Sequence, residues 1–280
     1  MIKFGPSGRS DEDNEKKLST EDFAKKLYDN GLTTCEYPLT YGTNISDERA
    51  KEIGDAFKAY NISLSVHAPY YINFATQDLT KLGATINYLL ESVKKAKVMG
   101  SDRVVFHTGS LVGQTREEAL KNTINGVKMF LEEMDKLGIE DIYICPETMG
   151  KHGQLGTPEE VAEICKLDDR IIPTIDFGHI NAYTLGELKT KEHFENILDL
   201  FINKLNKNEI HIHFSRIEFT NKGEKKHLNF SSDSEFGPDY KLFIEALSKY
   251  KDKNIRVISE SAGEQTKDSK IMLQYYKNVF

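Results

Sequence analysis

The chain has 280 residues, 39% of them hydrophobic and 29% charged, a balance that builds a large core in water and excludes a disordered or fibrous chain. No apolar run approaches the roughly 20 residues needed to span a bilayer, and the opening Met1-Ile2-Lys3-Phe4-Gly5-Pro6 lacks the apolar core of a signal peptide, so the protein is expected in the cytoplasm and off the membrane. The net charge of −7 exerts no global pull on nucleic acid, and the scattered Cys35, Cys145 and Cys165 suggest neither a disulfide framework nor a thiolate zinc site.

Short β-rich apolar runs recur at residues 2–4, 34–38, 63–67, 103–107, 141–147, 172–176, 210–214 and 256–260. Between and after them lie amphipathic stretches at 20–30, 46–60, 79–99, 115–137, 158–166, 191–206 and 239–250, with a closing helix near 267–276. Thr157-Pro158-Glu159-Glu160 reads as a helix start, with a capping Thr, a Pro suited to the first turn and acids favoured by the helix dipole. Gly31, Gly100 and Gly138 stand where helices should stop in a left-handed residue. Eight βα units without a Gly/Ser-rich linker predict one domain over residues 1–280, an α/β fold closed as a (β/α)8 TIM barrel. The competitor is an open doubly wound sheet, but no GxGxxG follows a strand.

The strand ends carry the chemistry. His67, His107, Glu147, Asp176 and Glu260 each close an apolar run, His213 ends the run that begins at Ile210, and His179 and His227 follow close behind two of these strands. A lone His at such a place is more often a hydrogen-bonded rim residue than a ligand, and a lone acid is more often a helix cap. Recurrence changes the balance, because all strands of a closed barrel point the same way and their C-terminal ends meet at one mouth. Several carboxylates buried together without cations would cost stability. Imidazoles and carboxylates in that number suit two or three zinc ions, or manganese where carboxylate and water dominate. His211 shares a face with His213 by the period of two but lies deeper, as a core residue or a partner behind the ligands. His152 and His193 read as surface residues.

Val66-His67-Ala68-Pro69-Tyr70-Tyr71-Ile72-Asn73, Phe106-His107-Thr108-Gly109-Ser110, Pro146-Glu147-Thr148-Met149-Gly150 and Ile175-Asp176-Phe177-Gly178-His179, closed by Glu260, resemble the endonuclease IV family of apurinic/apyrimidinic endonucleases, within the xylose isomerase-like TIM barrels. The motifs run in order from about residue 60 to residue 260. The resemblance implies a trinuclear zinc site that hydrolyses the phosphodiester 5′ to an abasic site in double-stranded DNA, by a monomeric enzyme of base excision repair. It implies that His67, His107 and Glu147 hold one zinc, that Glu147, Asp176, His213 and Glu260 hold a second, and that His179 and His227 serve a third. Glu147 and Glu260 would also be catalytic, orienting the attacking hydroxide. Tyr70 and Tyr71 would face the DNA beside the lesion, and Arg216, with Lys222, Lys225 and Lys226, could meet phosphates.

Three places depart from the family pattern. Lys225 stands two residues before His227 where the family has Asp, and the nearest acid is Glu224, which leaves the third ion weak, differently ligated or absent. The opening strand lacks the family's His, and the following Ser10-Asp11-Glu12-Asp13-Asn14-Glu15 is acidic where a DNA-facing loop would be neutral or basic. The alternatives are a divalent-metal sugar isomerase or epimerase using Glu147, Asp176, His213 and Glu260, and a barrel that binds lesions or metal without turnover.

Overall fold

The computed structural model of the protein describes residues 1–39 and 42–280. Eight parallel strands form its centre: β1 Ile2–Pro6, β2 Thr34–Pro38, β3 Ser63–His67, β4 Arg103–His107, β5 Tyr143–Glu147, β6 Thr174–Asp176, β7 Glu209–Phe214 and β8 Asn254–Ser259. Their spatial order is β1-β8-β7-β6-β5-β4-β3-β2, the sequence order read round a cylinder. The cylinder closes where Thr33 N–H donates to the Phe4 carbonyl (3.1 Å) and Gly8 N–H donates to the Glu36 carbonyl (2.9 Å). At this seam a Cβ on Gly5 would lie 1.6 Å from the Thr34 carbonyl oxygen, so only glycine lets β1 and β2 approach. The strands are thus a TIM barrel, as the alternation of elements predicts.

Helices wrap the cylinder, and their starts carry local signals. Thr115 and Thr157 form capping boxes with Glu118 and Glu160, and Pro158 opens its helix. Gly31, Gly100 and Gly138 end theirs at φ +73°, +69° and +64°. Outward strand residues such as Val104, Phe106 and Ile144 pack under these helices in one continuous core, while Val105, Cys145 and Ile172 fill the barrel axis. Among the described residues no helix is long and apolar enough to cross a membrane.

Several segments differ from the pattern reading. The acidic segment after β1 is a short helix, Asp11–Glu15, whose Asp13 is buried, accepts from Ser10 N–H and pairs with Lys26 at 2.5 Å. A seven-residue helix, Phe177–Tyr183, follows β6 directly, with Asp176 capping it by accepting from His179 N–H at 2.7 Å. Beyond β7 the basic stretch is a β-hairpin, Arg216–Thr220 with Gly223–Leu228. The helix after Phe177–Tyr183 is α-helical over Lys191–Asp199 and finishes as a π-turn over Leu200–Lys204. The first three of these pieces are too short or too polar to show a 3.6-residue or strictly alternating apolar period.

Candidate metal centre

Register explains why distant residues converge. His107 lies beside Glu147 across β4 and β5, and Asp176 lies beside His213 across β6 and β7. Residues paired in a parallel ladder share a face, so these four side chains all turn into the mouth. His67 from β3 and Glu260, the first residue after β8, join them. The mouth opens into a cavity of about 250 Å³, lined by His67, His107, Glu147, His179, His227 and Glu260 together with Tyr70, Lys151 and Glu224.

Glu147 is the hub. Its Oε2 lies 3.3 Å from His67 Nε2 and 3.2 Å from His107 Nε2. Its Oε1 lies 3.0 Å from His213 Nδ1 and 3.4 Å from His179 Nδ1. The two oxygens of one carboxylate therefore face two separate ligand groups, His67–His107–Glu147 and Glu147–Asp176–His213–Glu260. His213 Nδ1 is 3.5 Å from Glu260 Oε1 and 4.0 Å from Asp176 Oδ2. A third group is His179, Glu224 and His227, with Glu224 oxygens 3.6 Å from His179 Nε2 and 3.9 Å from His227 Nε2.

Glu224 enters through a bulge. In the hairpin Glu218 pairs with Lys226 and Phe219 with Glu224, leaving Lys225 without an opposite number. The extra residue shifts the alternation, so Glu224 and His227, three apart, face the same side. Lys225 turns outward and, with Lys226, pairs with Glu218. Gly150 admits this hairpin, since a Cβ there would lie 2.8 Å from Glu224 Cβ and 3.0 Å from His179 Cδ2.

Most of the histidines have one ring nitrogen already engaged. His67 Nδ1 is 2.7 Å from the Ala68 carbonyl, His179 Nδ1 is 2.9 Å from the Thr148 carbonyl, and His227 Nδ1 is 2.9 Å from Ser215 Oγ. An Nδ1–H donated in each case leaves Nε2 as a free lone pair toward the carboxylates, the arrangement that metal-binding imidazoles adopt.

The electrostatics show charges crowded in a dry place. Burial works to raise Glu147, but His213, His107 and His179 together hold it well below the usual carboxylate range. Burial works to lower His67, but its contact with Glu147 and the charges of Glu36 and Glu260 push it up to about 9. Asp176 is raised to about 6 by burial, with the Glu260 and Glu147 charges adding and His179 opposing. Its Oδ2 is buried and has no hydrogen-bond donor. An acceptor left bare among imidazole nitrogens and carboxylates is what a divalent cation would satisfy, so this donor set fits zinc or manganese.

Tyr70 and Tyr71, at 57% and 43% exposure, stand on the rim and stack edge to face with each other, and Tyr71 does so with Tyr88. Arg216 is engaged elsewhere: its guanidinium donates to the carbonyls of Asn229, Phe230, Ser232, Ser234 and Phe236 and ties down that loop. Two further residues at the site carry no sequence motif. Lys151 lines the mouth from the loop after β5, where its spacing carries no motif. Glu36 lies in mid-strand on β2, fully buried, and the signal for it was a charged residue between Cys35 and Tyr37 in an otherwise apolar strand.

Over residues 24–277 the chain matches the family model described as Xylose isomerase-like TIM barrel. It is 30% identical over 266 residues to an uncharacterized protein of Methanocaldococcus jannaschii, covering 93% of this chain and 92% of that protein. It is 31% identical over 183 residues to a probable endonuclease 4 of Staphylococcus carnosus, and there it spans only 59% of the relative's length and 59% of its own. Among solved structures, a D-tagatose 3-epimerase-like protein superposes with a TM-score of 0.73 at 22% identity, covering 99% of this chain and 97% of that one. Endonuclease IV from Thermus thermophilus superposes with a TM-score of 0.64 at 15% identity, covering 93% of each. At these identities the structural likeness speaks for the fold. The chain belongs to the xylose isomerase-like TIM barrel family.

Proposed function

We propose that the protein is a zinc-dependent endonuclease that, as a monomer, hydrolyses the phosphodiester 5′ to abasic sites in double-stranded DNA. The observation that carries this reading is the sharing of Glu147 between two ligand groups, with a third group alongside. His67 and His107 would hold one zinc with Glu147. Asp176, His213 and Glu260 would hold a second with Glu147, and His179, Glu224 and His227 a third. When bound, the ions acidify the attacking water and neutralise the nonbridging and departing oxygens of the phosphate.

The chain's own groups complete the work. Glu147 and Glu260 orient the attacking oxygen in line with phosphorus, and both line the cavity. Lys151 offers a cation to the phosphate outside the ions. Tyr70 and Tyr71 are placed to fill the stack beside a nucleotide turned out of the duplex. Arg216 contributes by fixing the loop at 229–236 rather than by touching phosphate. The test is nicking of a duplex carrying a tetrahydrofuran abasic analogue, with and without chelator. Glu260→Gln and His107→Ala should each lower zinc-dependent nicking by roughly a hundredfold or more. Near-normal activity in either variant would remove this assignment.

One observation favours a second reading. Glu147, Asp176, His213 and Glu260 form a complete four-ligand set for one ion, which would serve a sugar isomerase or epimerase that moves a proton beside a carbonyl. One tightly held ion per chain, with solvent exchange of a sugar proton and no nicking, would select that reading.

A further inference from the structure

Behind the ligands lies a buried carboxylate that none of the reactions above uses. Glu36 Oε2 accepts from Ser65 Oγ at 2.9 Å and lies 3.0 Å from His211 Nε2. Its other oxygen, Oε1, lies 3.0 Å from His213 Nε2. All four residues are completely buried. Glu36, His211 and His213 could by position hold an ion of their own, but with all three completely buried such an ion would have to be reached through the packed barrel axis.

His213 differs from three of the other ligand histidines. His67, His179 and His227 rest on a carbonyl or a hydroxyl, whereas His213 faces a carboxylate. Its Nδ1, not Nε2, points to Glu147 and Glu260. We propose that Glu36 is the positioning residue of the metal centre: held by Ser65 and His211, it takes the Nε2–H of His213 and so presents the Nδ1 lone pair to the ion shared with Glu147, Asp176 and Glu260. The contact now lacks the alignment of a hydrogen bond, with Glu36 Oε1 and His213 Nε2 both otherwise unpartnered. An ion held at Nδ1 would leave Nε2 as the proton-bearing nitrogen, with Glu36 Oε1 3.0 Å away to take that proton's hydrogen bond. This inference rests on the metal-centre reading above and adds the residue that fixes the tautomer of one ligand.

Glu36→Gln tests it at constant volume. Ser65 and His211 are both donors to Oε2, so the amide carbonyl stays with them and the NH2 falls on His213 Nε2. That nitrogen must then accept, the proton moves to Nδ1, and the ligand position is blocked. The expected result is a folded protein from which one zinc per chain is stripped by a competing chelator at 10–100-fold lower concentration, the remaining zinc being unchanged. A variant that holds zinc within twofold of the parent overturns the proposal. If Glu36→Gln does not fold, the readout is the nitrogen-15 spectrum of the zinc-loaded parent: His213 protonated at Nε2 supports the proposal, and His213 protonated at Nδ1 overturns it. A parent that takes up no zinc removes the metal-centre reading and this inference together, whereas a loading parent with an equally loading variant removes only Glu36.

Discussion

Crowded charge and burial raise the affinity of His67 and Asp176 for protons. His67 is raised from 6.5 to about 9 against its burial by Glu147, Glu36 and Glu260, and Asp176 from 3.8 to about 6 by burial and the neighbouring acids. Both folded values exceed the unfolded ones. The stability these groups lend is therefore complete below the unfolded values and is lost as pH rises, through about 6 for Asp176 and about 9 for His67. For His67 the loss between pH 6.5 and 9 is on the order of 3 kcal/mol. Glu147, held low, contributes only to acid-side losses below about 4.5. On the proposed metal-centre reading zinc would compete with the same protons and bind better as they leave. The gap in Tm between zinc-loaded and chelator-treated protein should therefore widen from pH 6.5 to 9, as followed by thermal unfolding in matched buffers. A constant or shrinking gap would mean that ions and protons do not share this cluster.

At the scale of elements, the hairpin after β7 separates two ways of reading the third ligand group. A strict two-residue period puts Lys225 and His227 on one face, and by that rule the acid is missing. The bulge puts Glu224 there instead. Glu224→Ala should release one zinc equivalent per chain, measured by metal analysis after dialysis, while Lys225→Asp should leave the zinc content unchanged because residue 225 points outward. The opposite pattern would show that the bulge does not persist in solution. Such a bulge was not legible in Gly-Glu-Lys-Lys-His-Leu, which has almost no apolar alternation; its shape comes from tertiary contacts, with Glu224 N–H donating to the Gly150 carbonyl and His152 N–H to that of Lys222. By contrast, the eight strands and the long helices were legible, because each carries an apolar face long enough to set a period. So was the gathering of His67, His107, Glu147, Asp176, His213 and Glu260, because strand polarity alone brings strand ends to one rim. Glu36 was hidden for the opposite reason: it lies inside a strand, and its partners come from β3 and β7, far off in sequence.

For the whole molecule, the question is how a chain of net charge −7 would hold a polyanion. The mouth itself is acidic, with Glu147, Glu224 and Glu260 on its wall and Asp176 beneath, so the field there becomes attractive only through cations. Among the described residues lining that cavity, Lys151 is the one lysine or arginine. Binding of an abasic duplex should therefore depend on zinc as well as on salt, and chelation should abolish binding along with cleavage. Each phosphate neutralised by a side chain steepens the fall of log K with log salt by about 0.9. Lys151→Ala should then weaken binding of all abasic duplexes alike and make that slope shallower by about one, without loss of zinc. Fluorescence anisotropy of a labelled abasic duplex across a salt series measures both quantities. An unchanged slope would take Lys151 off the phosphate. Binding indifferent to both salt and zinc would remove DNA as the ligand and would leave a neutral sugar as the substrate that the same four ligands could serve.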